Sequence, residues 1–171
     1  MAIKTASGSG LSNSLSSGLV LLNTTSFSGV GSVSVNSVFS ATYNSYIIDI
    51  FNNASGTGNI RLRASGTDNT SAVHMVRGTE IADNNFVAFR TNAGTSFFLQ
   101  SVANNYIYIK NPFDNSNTYF ANSGIAPTNA TSGGTLNLMG AHVANYQADG
   151  FTITVVAGTM TGSVSVYGLA K

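Results

Sequence analysis

GLVLLNTTSFSGVGSVSVNSVFSATYNSYIIDIF, residues 18–51, carries the pattern from which the fold is read. Its central run Ser32-Val33-Ser34-Val35-Asn36 alternates small polar with β-branched residues, the period of two that gives a strand one wet face and one dry face. The later run Tyr46-Ile47-Ile48-Asp49-Ile50-Phe51 is apolar almost throughout, which suits a strand covered on both sides. Two kinds of strand separated by Gly, Ser and Asn imply a layered β domain.

Working outward toward the carboxyl end, Ile60-Arg61-Leu62-Arg63-Ala64 alternates again as a half-exposed strand, with the two arginines on the face opposite Ile60, Leu62 and Ala64. Short strands are expected over Val73–Val76 and Phe86–Phe89, split by a polar loop from Arg77 to Asn85. Thr95–Val102 and Tyr106–Lys110 read as buried strands joined in a hairpin through Ala103-Asn104-Asn105. Asn111–Gly134 holds both prolines and reads as a long irregular loop bearing Phe113, Tyr119 and Phe120. Thr135–Met139, Phe151–Val155 and Gly162–Gly168 restore strand patterning, the last two separated by a turn at Ala157-Gly158-Thr159. Apolar residues never repeat at helical spacing over three turns. About eight to ten short strands between Gly and Asn turns predict an all-β, antiparallel sandwich of jelly-roll type over residues 18–171. Toward the amino end, residues 1–17 are rich in Ser and Gly and are expected to form a flexible arm carrying Ile3, Leu11 and Leu15 as spaced apolar residues.

Only 8% of the 171 residues are charged, against roughly 25% in an average domain. Seven basic residues offset by six acidic ones leave no basic stripe to track a phosphate backbone, so no nucleic-acid partner is expected. The chain has no cysteine, which excludes disulfides and thiolate zinc sites. Its amino-terminal residues lack the apolar core of a secretory signal, and no apolar run reaches the ~20 residues of a membrane span. Synthesis in a cytoplasm, without membrane insertion, is the expectation.

Chemistry is sparse. His74 and His142 belong to no metal or triad spacing; His74 alternates with Val73 and Met75 and reads as an ordinary sheet residue, and His142 sits beside Gly140 and Ala141 with no second ligand near it. Asp49 interrupts an apolar strand, and a cross-sheet ion pair with Arg61 or Arg63 would satisfy it. Glu80 and Asp83 fall in the expected polar loop; with Asp49 they are the carboxylates a polysaccharide-cleaving enzyme would use, if folding brought two of them together. Asp68-Asn69-Thr70 offers oxygen ligands but too few carboxylates for a calcium loop. No catalytic residue, metal site or cofactor is assigned.

Three phrases taken in order, GLVLLNTTSFSGVGSVSVNSVFSATYNSYIIDI, IRLRASGTDNTSA and GSVSVYGLAK, resemble a β-sandwich module of bacteriophage virion proteins, especially in phages of cyanobacteria and other marine bacteria. The resemblance runs from Gly18 to Lys171. It implies a trimeric jelly-roll-like domain with a structural or adhesive role, as in head decoration (cement) proteins and the distal domains of tail fibres. With only a short arm ahead of the sandwich, a homotrimer on the capsid exterior is expected, bound to the major capsid protein through Ile3, Lys4, Leu11 and Leu15. The alternative is a short tail-fibre or receptor-binding protein whose Phe113, Tyr119 and Phe120 stack on host surface glycan.

Overall fold

The alternating segments fold as strands because each can turn its β-branched or aromatic residues to a shared interior and its hydroxyls to water. A computed structural model describes residues 18–53, 58–71, 74–82, 85–94, 96–99, 105–126 and 134–169, and no helix occurs among them. Among the described residues thirteen strands follow one another: β1 (Leu19–Val30), β2 (Ser32–Val35), β3 (Ser45–Asn52), β4 (Gly58–Ala64), β5 (Thr67–Asp68), β6 (His74–Ala82), β7 (Asn85–Gly94), β8 (Phe97–Leu99), β9 (Asn105–Lys110), β10 (Thr118–Ala126), β11 (Gly134–His142), β12 (Gly150–Val155) and β13 (Met160–Leu169). They form two antiparallel sheets. The broad sheet runs β1-β13-β3-β9-β10-β11-β6-β7; the small one runs β2-β12-β4, with β5 and β8 both pairing β4.

The chain is wound as a doubled strand. β1 pairs β13 in the broad sheet and β2 pairs β12 in the small one, so successive strands cross from layer to layer in company with partners from the other end of the chain. The hairpins β6-β7 and β10-β11 widen the broad sheet beyond β9.

Between the layers lies one core. Val33, Val35, Ile60, Leu62, Phe151 and Ile153 enter it from the small sheet, and Tyr46, Ile48, Ile50, Ile107, Ile109, Val164 and Val166 from the broad one. Each large apolar side chain so buried contributes roughly 1.5–3 kcal/mol. Aromatic contacts stitch the layers: Phe97 of β8 stacks on Phe120 of β10 at 4.9 Å, and Phe39, in the β2–β3 crossover, meets Tyr46 at 4.8 Å and Phe151 at 5.8 Å. The Tyr46 hydroxyl accepts from the Ser40 amide and donates to the Ser40 carbonyl, each at 2.8 Å, which fixes the return of that crossover. Burial pushes the phenol's pKa up, so it keeps the proton that this second bond requires. The amides of Val38 and Phe39 both donate to the Asp149 carbonyl at 2.8 and 3.0 Å. Next to it, a Cβ on Gly150 would lie 2.1 Å from the Val35 carbonyl oxygen, so only glycine lets β12 approach β2 this closely.

The sandwich and the burial of Ile60 and Leu62 opposite Arg61 agree with the alternation. Other expectations are corrected. Arg77–Ala82 continues β6 as strand, because ladder bonds to β7 and β11 satisfy its backbone whatever the polarity of its side chains. Likewise, much of Asn111–Gly134 is strand β10, paired on both edges. β8 and β9 are not a hairpin: β8 joins the small sheet on β4 and β9 joins the broad sheet between β3 and β10. Nor is β3 covered on both sides, since Phe51 is exposed and Ile47 and Asp49 are half-buried. The expected arm, with Ile3, Lys4, Leu11 and Leu15, lies outside the described residues.

Candidate interaction surfaces

Two outer faces remain once the core is closed. On the broad sheet, the Asn105–Lys110 sequence NYIYIK turns Ile107 and Ile109 inward and Tyr106, Tyr108 and Lys110 outward. Cross-strand register then sets Leu21, Tyr167, Ile47, Tyr108, Ala121 and Met139 in one row across six strands. A neighbouring row holds Leu19, Leu169, Ser45, Lys110 and Tyr119. The row on the other side brings Asp49 beside Tyr106. Leu21 is 56%, Tyr106 62% and Met139 68% exposed, so the ridge is uncovered. At roughly 200 Å² for a large side chain, half exposure at six such positions leaves on the order of 600 Å², at the upper end of the largest apolar patch on a typical monomer. Its charged groups are opposite in sign and apart. Lys110 sits opposite Ser45, four residues along β3 from Asp49 and hence about 13 Å away.

The small sheet's outer face has the reverse character. Ser34 on β2, Thr152 on β12 and Arg61 on β4 share a row, and Ser32 and Thr154 share the next. The Arg63 guanidinium donates through Nη1 to Thr152 Oγ1 at 2.7 Å and stands 3.4 Å from Asp68 Oδ1. Thr152 in turn donates to Asp68 Oδ1 at 2.6 Å and lies 2.9 Å from the Ser34 hydroxyl. Nη2 donates to the Gly66 carbonyl. These contacts hold Arg63 nearly buried with its counter-ion, a condition a buried guanidinium needs. Above them runs an open trough of about 810 Å³, lined also by Arg61 and Thr154.

The residues expected to stack on glycan do not share a surface. Tyr119 points outward on the broad sheet, Phe113 is half-buried against the core, and Phe120 is 3% exposed and faces Phe97. Adjacent residues of a strand point to opposite faces, so Tyr119 and Phe120 cannot act together.

Among the carboxylates, Asp49 does not meet Arg61 or Arg63. It lies on the broad sheet's outer face and they lie on the small sheet's, with the core between. Arg63 takes Asp68 instead. Glu80 lies on β6, four strands from β3, which puts its backbone about 19 Å from that of Asp49, beyond the reach of a glycosidase pair. Asp83 is outside the described residues. In Asp68-Asn69-Thr70, Asp68 is held by Arg63 and Thr152, while the Asn69 amide lies 2.9 Å from His142 Nε2.

Register brings His74 and His142 opposite one another on β6 and β11, a pairing their sequence separation concealed. Burial lowers the pKa of His142 from its usual value, and its ring packs 5.5 Å from Tyr146. No group of three metal-ligating side chains occurs among the described residues.

Sequence reasoning missed Tyr106 and Tyr108 as surface residues, although their strict alternation with Ile107 and Ile109 was the available signal. Compared with known proteins, the chain matches no protein-family model, no curated protein and no solved structure.

Proposed function

We propose that this chain is a non-enzymatic bacteriophage virion protein, a homotrimer that decorates the capsid exterior and contacts the major capsid protein. The strand order β1-β13-β3-β9 over β2-β12-β4-β8 supports reading the sandwich as a jelly roll, an architecture common in viral capsid and lectin domains. Architecture alone does not assign a role, so the reading rests on a surface.

The observation that carries it is the uncovered ridge of Leu21, Tyr106, Tyr108 and Met139 on the broad sheet. Aromatic and Met side chains are enriched where proteins meet, and a standard interface buries about 800 Å² per partner, close to what this face offers. Asp49 and Lys110 on the same face give a second copy an opposite charge to meet at either end. Association would also cover β1, which forms one edge of the broad sheet beside Leu19 and Leu21. A glycan receptor using Tyr119 and Phe120 finds no such support, because Phe120 belongs to the core.

Light scattering at micromolar concentration should give three times the 17.7 kDa protomer mass. The double variant Leu21→Asp, Tyr106→Asp should fall to the single mass with its circular dichroism unchanged. A wild-type monomer would overturn the self-association. A trimer found only at the tail tip of labelled particles would overturn the capsid assignment alone.

A further inference from the structure

We infer that the chain associates with itself edge to face: the open edge β1 of each protomer lies across the outer face of the broad sheet of the next, so that Leu19, Val20 and Leu21 of one copy meet Tyr106, Tyr108 and Met139 of another. The inference rests on the homotrimer proposed above and names the two surfaces that would meet in it. Three-fold closure requires those surfaces to differ, because a patch that meets its own copy is related by a two-fold axis and stops at a dimer.

β1 supplies the first surface. It ends the broad sheet, where β13 is its one neighbour among the described residues. Its twelve residues, LVLLNTTSFSGV, carry no charge and no proline, the usual means of keeping an edge from associating. Leu19 and Leu21 point to the outer side of the sheet and Val20, between them, to the other side, yet all three are exposed, at 52, 56 and 37%. A partner lying flat on the broad face would cover the two leucines and leave Val20 in water. One that takes the strand edge-on covers all three. The register shift between Leu21 and Asn23 bends and twists the strand just past this tip, so a second β1 laid alongside would find its ladder broken.

The face supplies what the edge needs. An edge strand presents amides and carbonyls that have no strand partner, and packing it on a purely apolar surface would leave them dry and unsatisfied. The exposed aromatic residues of β9 are both tyrosines, and Tyr119 lies beside them on β10. A tyrosine ring offers an apolar body to Leu19 and Leu21, and its hydroxyl can donate to or accept from the backbone above it. Asp49, opposite Tyr106, adds an acceptor for an outward amide. From β1 to β9 is three strand spacings, about 14 Å, so one protomer can give its edge and receive on its face at the same time.

Cysteine cross-linking reads the contact directly, because the chain has no cysteine of its own. The full chain carrying both Leu21→Cys and Tyr108→Cys, treated with a short bismaleimide, should run as a covalent trimer on a denaturing gel. Either single variant should run as the 17.7 kDa protomer. A linked dimer from a single variant would overturn the edge-to-face contact, since it puts like patches together. Val20→Asp should weaken assembly about tenfold with its circular dichroism unchanged, because a charge enters the contact. If that variant does not fold, Val20→Ser gives the same reading. A double-cysteine chain that stays unlinked, or a Val20→Asp chain that assembles like the wild type, would overturn this contact, while a wild type at three times the protomer mass in light scattering keeps the homotrimer. A wild-type monomer would overturn both.

Discussion

On the small sheet, Ser34, Thr152, Arg63 and Asp68 hold one another through consecutive polar contacts, and Thr152 is nearly buried although it lies on an outer face. On the broad sheet, Leu21, Tyr106 and Met139 project with more than half their surface in water. Both faces come from the same alternation of residues. They differ because on one face the outward positions can satisfy each other, while on the other they leave apolar area that only another surface could cover. A face that satisfies itself keeps its groups at fixed spacing, while the other keeps a contiguous apolar area in contact with water.

That contrast can be broken most directly at Asp68. Asp68→Ala removes the counter-ion of a nearly buried guanidinium and should cost about 3 kcal/mol, read as a lower urea midpoint at unchanged slope. A loss within the scatter of surface substitutions would mean that the small sheet's polar network is not structural.

A smaller effect should come from His142, which lies on the inner side of the broad sheet and meets Asn69 from the strand end next to β5. Burial lowers its pKa below the usual 6.5, so the folded state binds fewer protons than the unfolded chain. Its contribution to stability is therefore whole above that value and declines as pH falls through and below it. Thermal midpoints between about pH 8 and pH 5 should drop less in His142→Gln than in the wild type. Equal drops in both would show that other groups govern the acid response.

The least effect is expected at Thr24, whose hydroxyl lies 3.0 Å from that of Ser165 on the exposed broad face. Thr24→Ala should change stability by less than about 0.5 kcal/mol. A larger loss would mean that the broad face, too, depends on its own polar contacts.

How much of this could be read in advance depends on how local each feature is. Ser32–Val35, Ile60–Ala64 and Phe151–Val155 announce their faces within a few residues, and the structure keeps those faces. Partner choice is not local. Nothing near Phe97 says that β8 would leave β9 and join β4, and nothing near Asp49 says that Arg63 lies beyond the core. The stretch after Asn111 looked irregular because Gly, Asn and Ser weaken the strand signal, yet β9 and β11 on either side hold β10 in line. The trough was hidden for the same reason, since its residues come from strands near positions 33, 62 and 153. Tyr106 and Tyr108, by contrast, carry a local signal, their alternation with Ile107 and Ile109, and reading that run as wholly buried passed over it.

The pairing of Leu19 with Leu169 sets an order of events during synthesis. β1 leaves the ribosome early, but the strand that must lie between it and β3 is translated about 150 residues later, roughly 10–30 s at ordinary elongation rates. Until then both edges meant for β13 stay unpaired, and the sheet cannot close by growing from its amino end. Closure of the sheet waits on β13, so the sandwich should have a high contact order, form late and need protection until that strand is made.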